Sequence, residues 1–295
     1  MPAVPYVSPA AFTAHPTYLD VDGLRSGSPY AADQTAALNN ILLMASQWAD
    51  NRCDQPLAAH QNVQRTRGRI DRYGMLRLHP DHTPVLAVTS VGYGYTPTAL
   101  TTVDASKAWV EDGRNIVIPL GGAGGPWSGA LQFGTPAAGG EVFVQLACTA
   151  GWVATQLSAA ASAGASSVTV ADPTGILPGG QYRIWEPGKE ETVTVSSSWT
   201  PPVVAVPPVA TAVTLAAPLV SAHTAGHDFS GMPADMRLAV THYTVSLLMR
   251  PDTTTEDAYP DTALSSSTRR NDPRQDGSGL VAEAERILAS YRRVR

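Results

Sequence analysis

Between Ala31 and Arg52 the apolar positions recur at steps of three and four residues, which is the spacing of one face of an amphipathic helix. The members of this stripe are Leu38, Ile41, Leu42, Ala45, Trp48, Ala49 and Cys53. Ser28 and Pro29 stand where an N-cap residue and a first-turn proline are expected. A shorter helix is predicted from Pro9 to Ala14. The N-terminal part of the chain is therefore expected to be helical.

From Asn62 the period of the pattern changes to two, which predicts β-strands. The alternation begins at Asn62 and continues through Met75, Leu76 and Leu78 into Pro80, and Val85 to Val91 is predicted as a second strand. Trp109-Val110 and Asn115 to Leu120 flank Asp112-Gly113, a good two-residue hairpin turn because both residues tolerate positive φ, and Glu141 to Ala147 gives one more strand. The sequence thus predicts a small antiparallel β-region that closes at Gly151-Trp152.

Residues 154–230 have a different composition, with short alternating segments separated by strong turn formers. The segments span residues 166–171, 181–186, 191–197 and 212–215, and the turns lie at 172–175, 178–180 and 187–188. Thr200 to Pro208 carries four prolines, so it is expected to be an extended loop or a sheet edge. This part of the chain is predicted to be a separate small β-module.

Helical periodicity returns near the C-terminus. Met236, Val240, Tyr243 and Leu247 step by four, three and four residues, and Arg250-Pro251 is expected to end that helix. Asp252 to Gly279 is polar and without periodicity, which predicts an extended or disordered arm. A last amphipathic helix is predicted from its apolar positions, Leu280, Ala284, Ile287, Leu288, Tyr291 and Val294.

Only 15% of the residues are charged, so part of the surface is expected to be covered by partners. The net charge of −5 argues against a dedicated nucleic-acid binder. Two cysteines form neither a disulfide framework nor a zinc site. The N-terminus lacks a secretory signal, and no apolar run is long enough to span a bilayer. We therefore expect a soluble protein made in the cytoplasm.

Five stretches, taken in order, carry a resemblance to a known family: Gln34 to Leu57, Pro84 to Val91, Trp109 to Leu120, Cys148 to Trp152, and Met232 to Ala239. Over roughly residues 5–250 the chain resembles the head–tail adaptor (connector) proteins of tailed bacteriophages. In that family the helix opened by a proline follows the β-region almost directly. Here it follows only after about eighty intervening residues. Those residues, from Val168-Thr169-Val170 to Gly226, resemble small β-modules of phage structural proteins.

The resemblance implies an α+β fold with a helical adaptor core, a small antiparallel β-region, an inserted all-β module and a C-terminal arm that ends in a helix. The core would comprise residues 1–152 and 231–250, the insertion 153–230 and the arm 251–295. The implied function is structural and not enzymatic, in the neck of the virion at the head–tail junction. About twelve copies would form a closed ring that joins the portal to the stopper or tail. Double-stranded DNA would pass through the lumen of that ring without sequence-specific binding.

Two groups of basic residues are candidate contact sites of such a ring. Arg65, Arg67 and Arg69 lie on one face of a predicted strand. They fit an edge strand protected by charge, a bridge to acids of a neighbouring subunit, or a light contact with DNA. The candidate portal-binding residues are Arg286, Leu288, Tyr291, Arg292, Arg293 and Arg295. Basic residues in a last helical turn are also favoured by the helix dipole alone, so both interpretations stay open.

Patterns that carry chemistry are weak in this chain, and no catalytic, cofactor-binding or metal-binding residue is predicted. His223 and His227 have i,i+4 spacing but straddle Gly226, and His79 and His82 flank a proline. Cys53 and Cys148 lie on apolar segments, which favours core positions. The acid pairs Glu111-Asp112 and Glu190-Glu191 fall at hairpin turns, where solvated acids are ordinary.

The glycine-rich segment from Gly121 to Gly134 lacks the Gly-Lys-Ser/Thr ending of a phosphate-binding loop, so it is interpreted as a hairpin loop. The main alternative function is a tail-completion or baseplate β-protein, which is also a virion part. A second alternative is a secreted carbohydrate-active enzyme, which the missing signal and the missing carboxylate pair disfavour.

Overall fold

The computed structural model describes residues 4–16, 19, 21, 24, 30–71, 73–120, 141–202, 207–249 and 278–293. The chain divides into two compact units. One is Ala59–Trp152, and the other combines Met1–Ala58 with Val153–Arg295. Ser28, Pro29, the glycine-rich segment 121–134, most of the predicted arm and Arg295 lie outside the described residues.

The unit Ala59–Trp152 is a seven-stranded antiparallel sheet that curls into a half-barrel. Its strands are β1 (His60–Ile70), β2 (Met75–Leu78), β3 (Val85–Gly94), β4 (Thr101–Val103), β5 (Trp109–Glu111), β6 (Asn115–Pro119) and β7 (Glu141–Ala150). The strand order is β4-β3-β7-β1-β2-β6-β5. The predicted Asp112-Gly113 turn is confirmed, with φ of 52° and 65° between β5 and β6.

The longest pairing in this sheet joins β1 to β7, in register from His60↔Ala150 to Arg69↔Glu141. One face of the sheet covers an apolar core: Ile70, Leu76, Leu78, Val85, Val91, Ile116, Ile118, Val142, Val144, Leu146 and Cys148. Position 68 on this face of β1 is a glycine. A Cβ there would lie only 2.6 Å from Leu78 Cδ2, so a larger residue would clash with the core. The missing side chain lets the neighbouring leucines fill the concave side of the half-barrel.

The predicted fold class, a helical adaptor core with a small β-region, is wrong. The protein is mostly β, with only about 27% helix. The sequence pattern located the alternating segments, but it could not indicate that strands about 80 residues apart in sequence pair into one wide sheet. This sheet has its own apolar core, so it is a compact unit of its own.

The other unit contains four α-helices among the described residues: α1 (Pro9–Ala14), α2 (Ala31–Cys53), α3 (Ala234–Leu248) and α4 (Ser278–Leu288). All four were predicted, and α2, α3 and α4 were predicted from their 3.6-residue period. Helix α4 packs on α2 and α3, and its Ala284 and Leu288 are fully buried. After α4, the Arg293 N–H donates to the Cys53 carbonyl over 2.9 Å, which ties the end of the described chain to the end of α2.

Six short strands complete this unit: β8 (Ala154–Gln156), β9 (Ser167–Val170), β10 (Gln181–Trp185), β11 (Glu191–Thr194), β12 (Thr211–Thr214) and β13 (Asp228–Ser230). They form a four-stranded sheet, β11-β10-β13-β8, and a β9–β12 ribbon. The strands predicted within residues 154–230 are confirmed, and they enclose a shared apolar core that includes Val170, Ile184, Val213 and Phe229. That this module is an insertion stays a prediction.

A buried ion pair connects these strands to the helices. Arg237 on α3 donates from Nη2 to Asp228 Oδ2 over 2.8 Å, and both side chains are at most 6% exposed. The same carboxylate oxygen accepts from the Ser8 N–H over 2.9 Å, while Arg237 Nη1 donates to the Tyr6 carbonyl. One guanidinium and one carboxylate therefore hold the N-terminal segment, β13 and α3 together.

Tyr6 extends this polar network to α2. Its hydroxyl donates to Asp50 Oδ1 over 2.5 Å, and its N–H donates to Ser46 Oγ over 3.0 Å. Burial, and then the Asp50 carboxylate, raise the pKa of Tyr6 well above its usual range. Asp50 Oδ1 also accepts from the Leu57 N–H over 2.9 Å, so Asp50 fixes the backbone that leaves α2.

Replacing Arg237 tests this network. Arg237→Met would leave Asp228 buried without its cation, so we expect the free energy of unfolding to fall by about 3–5 kcal/mol. Arg183→Met is the matched control, because Arg183 stacks on the same Trp185 ring (4.7 Å against 4.6 Å for Arg237) yet is exposed. Urea unfolding measures both variants. Equal losses in the two variants would contradict a special role for the buried pair.

Candidate interaction surfaces

The predicted row of arginines on β1 is present on the face of the half-barrel opposite its apolar core. Arg65, Arg67 and Arg69 are all exposed and alternate with inward residues such as Gly68. The β1–β2 register places Arg77 directly opposite Arg69. Arg77 was missed because the pairing of two strands is not visible in either segment alone. These four residues are called the arginine face below.

The arginine face is only partly neutralised. Arg67 lies 3.4 Å from Glu141, and Arg77 lies 3.2 Å from Asp71 and 3.8 Å from Glu111. Arg65 and Arg69 have no ion-pair partner among the described residues. Strand β1 lies between β7 and β2 in the sheet, so it is not an edge strand where Arg69 and Ile70 pair with β2. Protection of a free edge therefore does not account for Arg69.

Helix α2 carries two apolar stripes where the sequence suggested one. The first packs into the interior of the unit and comprises Leu38, Leu42, Ala45, Ala49 and Cys53, all at most 2% exposed. Beside it lie Ala37, Ile41, Met44 and Trp48, at steps of four, three and four residues, which are partly or largely accessible. Met44 is 58% exposed. We call this set the outer stripe of α2.

Trp48 gives the outer stripe a fixed anchor. Its ring stacks on Tyr243 of α3 with 3.9 Å between centroids and 4° between planes. The single stripe predicted from the sequence had included Ile41 and Trp48, and both remain half-buried. A stripe in the sequence identifies apolar positions without deciding which of them the chain itself covers.

The residues predicted to bind the portal do not form one surface. Leu288 is fully buried, and its carbonyl accepts from Cys53 Sγ over 3.7 Å. The Tyr291 hydroxyl donates to the Asp235 carboxylate over 2.8 Å, while burial, and then Asp235, raise the pKa of Tyr291 to about 12. Arg286 pairs with Glu283 over 2.6 Å.

The basic end of the chain is therefore engaged with the protein itself at several points. Arg292 is exposed, and the Arg293 N–H bonds to the end of α2, whereas Arg295 lies outside the described residues. Docking of this segment on a portal stays a prediction. If it occurs with α4 in place, it would use the arginines and not the apolar side of the helix.

The pair His223 and His227 belongs to a buried polar cluster after β10. The His223 ring, with a fully buried side chain, has Nδ1 2.9 Å from Glu186 and Nε2 3.4 Å from Glu191. His227 Nε2 lies 3.7 Å from Glu186. A histidine can donate from both nitrogens only in its protonated form. Within the described part of the chain, no group of three or more histidine, cysteine or acidic side chains is arranged to hold a metal ion.

Both carboxylates of this cluster have depressed pKa values. Burial alone would raise the pKa of Glu186, but hydrogen bonds from the Thr224 N–H, His223 and Lys189 lower it overall. Burial likewise opposes the shift of Glu191, whose pKa is lowered by the N–H groups of Val220 and Ser221 and by His223. The cluster clamps the loop before β13 onto the β10–β11 hairpin, which is a structural use of these residues.

The remaining candidates for chemistry have structural surroundings. Burial raises the pKa of Cys53 to about 12 and that of Cys148 to about 11, so neither thiol is activated as a nucleophile. Glu111 accepts from Trp109 Nε1 over 3.0 Å, and Asp112 occupies the hairpin turn. His79 bonds to Asn115 and His82 to His60, so the structure does not bring His79 and His82 together.

Among the helices that the structure describes, none combines the length and the apolar character needed to cross a membrane.

Known proteins similar to this chain are found among solved structures. No protein-family model and no curated protein matches the chain. Among solved structures, the chain aligns with one described as the neck of an empty GTA particle computed with C6 symmetry. The alignment covers 97% of this chain and 93% of that chain, with 17% sequence identity and a TM-score of 0.34. This TM-score is too low to establish a common fold, so neither fold nor function is transferred from it.

The carboxylate cluster yields a prediction about acid stability. Because the pKa values of Glu186 and Glu191 are lowered on folding, their contribution is complete above the unfolded value of about 4.3 and is lost as the pH falls through the lower folded values. Glu186→Gln should reduce the free energy of unfolding at pH 7 by about 1–3 kcal/mol and flatten its dependence on pH below about 5. Glu190→Gln, at an exposed neighbouring position, is the control. Urea unfolding between pH 3 and 7 measures both, and identical pH profiles would refute the clamp.

Proposed function

We propose that this chain is a structural, non-enzymatic protein of the neck of a tailed phage or phage-like particle. As its specific role within the neck, we propose that of an adaptor. Copies of the chain would form a closed ring between the portal and the stopper or tail, and DNA would pass through the lumen. The ordered sequence resemblance supports this proposal. The structural observation that carries it is the outer stripe of α2, an apolar surface that the chain itself leaves accessible.

The outer stripe has the properties of an assembly surface. Its steps of four, three and four residues give a straight seam along about three turns of α2. Met and Trp are enriched where proteins contact each other, and charged side chains are depleted there. The stacking of Trp48 on Tyr243 fixes one end of the seam, so less side-chain entropy is lost on association.

A closed ring also requires two different surfaces on each copy, because head-to-tail contacts join unlike patches. The outer stripe supplies one apolar patch. The partner patch on the next copy is not identified by this argument. The earlier prediction that Arg65, Arg67 and Arg69 contact a neighbouring subunit stays a prediction, as do the copy number and the portal contact.

A second virion role is favoured by one observation. The mostly β architecture, with a seven-stranded half-barrel, also suits a tail-completion or baseplate protein. An adaptor and a baseplate protein differ in location. Immunogold electron microscopy of intact particles would place an adaptor at the head–tail junction and a baseplate protein at the far end of the tail.

Met44→Glu tests the role of the outer stripe. Met44 is mostly exposed, so the isolated chain should keep its free energy of unfolding within about 0.5 kcal/mol. A carboxylate buried in an apolar contact should weaken assembly at least about tenfold. Asn40→Glu adds the same charge one turn earlier, at an exposed polar position that borders the outer stripe, and should assemble normally because no apolar member of the stripe is changed.

The measurement combines negative-stain electron microscopy with mass photometry of the purified chain, alone and with its portal. Rings from the parent chain and from Asn40→Glu, but not from Met44→Glu, are the expected result. A parent chain that stays monomeric both alone and with the portal would refute the ring. Equal assembly of all three would instead exclude the outer stripe as the contact.

A further inference from the structure

We propose that the arginine face of the half-barrel binds the phosphate backbone of duplex DNA, weakly and without sequence preference. A light contact with DNA was one of three interpretations of Arg65, Arg67 and Arg69 in the sequence, although the net charge of −5 did not favour it. The inference concerns the unit Ala59–Trp152 alone and does not depend on ring formation. It rests on the placement of four guanidinium groups, on the two that lack ion pairs, and on the geometry of β1.

The first observation is that the sheet brings like charges together. Arg69 and Arg77 are directly opposed in the β1–β2 register, where like charges destabilise a sheet. Arg65 and Arg67 continue the same row on β1. On its other side β1 pairs with β7, which sets Glu141 opposite Arg69, Phe143 opposite Arg67 and Gln145 opposite Arg65, so a single carboxylate faces the three arginines of β1. The cost is offset if the row has an anionic ligand.

The second observation is the spacing of the row. Residues two apart on a strand are separated by about 6.6–6.8 Å, so Arg65, Arg67 and Arg69 present cations at regular intervals along a nearly straight line. A linear polyanion with repeated phosphates fits such a line better than scattered carboxylates do. Guanidinium groups bind phosphate oxygens in bidentate geometry, which favours arginine over lysine here.

The third observation sets the strength of the contact. Arg67 is held by Glu141 and also stacks on Phe143 at 4.6 Å, and Arg77 is shared between Asp71 and Glu111. Hydrogen bonds from the Met75 N–H, the Tyr73 N–H and Arg77 lower the pKa of Asp71, so Asp71 stays ionised as a local competitor. Two cations, on Arg65 and Arg69, therefore remain for the phosphates. Such a site holds DNA loosely enough to let it move.

The number of phosphate contacts determines how strongly salt should weaken DNA binding. Two phosphate contacts predict a slope of about −2 for the logarithm of the binding constant against the logarithm of salt concentration. Between 50 and 200 mM salt, binding should then fall about twelvefold per chain. A dedicated DNA-binding protein with six to ten contacts would lose about 10³–10⁵ over the same range.

Isocratic retention on a column of immobilised random-sequence duplex, at several salt concentrations, measures this weak binding for the full chain. We expect retention of the parent protein with a slope near −2. The double variant R65Q/R69Q should lose retention and bring the slope close to zero. The charge-matched control K107Q/R114Q removes two cations from the same unit, one in the helical turn Ala105–Lys107 and one after the β5–β6 turn, and should retain the parental slope.

Three outcomes would overturn the inference: no retention of the parent at 50 mM salt, an unchanged slope in R65Q/R69Q, or an equal loss in the control. Circular dichroism and urea unfolding establish that R65Q/R69Q is folded. Mass photometry of the same variants separates this proposal from the subunit-bridge interpretation. Loss of oligomers with unchanged DNA retention would assign the arginine face to a protein neighbour and refute the DNA contact.

Discussion

The buried pair of Arg237 and Asp228 is the constraint on which the larger unit depends. Its two side chains, on β13 and α3, bond to the backbone of the N-terminal segment, which lies more than 200 residues earlier in the sequence. Burying two charges costs several kcal/mol of desolvation, and this cost is recovered only where their geometry is complete. The pair therefore selects one arrangement of these three elements and disfavours near-native alternatives.

The same unit separates stability from recognition on a single helix. One side of α2 is buried in the interior of the unit and against the last helix. On that side, Ser46 and Asp50 form hydrogen bonds with Tyr6. The neighbouring outer stripe, which includes Met44, stays partly or largely accessible. Since the two stripes adjoin, a contact made on the outer one would be stiffened by the packing of the inner one.

Local features were readable from the sequence, and non-local ones were not. The 3.6-residue period located α2, α3 and α4, and alternation located four of the six described strands of the β-module but missed β8 and β13. The size of the β-region was underestimated. Ten cross-strand pairs join β1 to β7, and neither segment's sequence shows that the other is its partner. The candidate site residues also divide into those that a local pattern reveals and those that only tertiary contacts reveal. Arg65, Arg67 and Arg69 were found by alternation, whereas Arg77, the outer stripe and the buried role of Arg237 required tertiary contacts.

The docking of α4 on α2 has a consequence for biosynthesis. The carbonyl of Leu288 meets Cys53 across 235 residues of sequence, so α2 is complete long before its covering helix exists. At a translation rate of about 5–20 residues per second, the part of α2 that packs on α4 stays uncovered on the ribosome for roughly 10–50 s. During this interval the nascent chain exposes the apolar surface of α2 to chaperones and to other nascent copies. Self-association is thus most hazardous before release, and a finished C-terminus turns the inner stripe from an aggregation risk into part of the core.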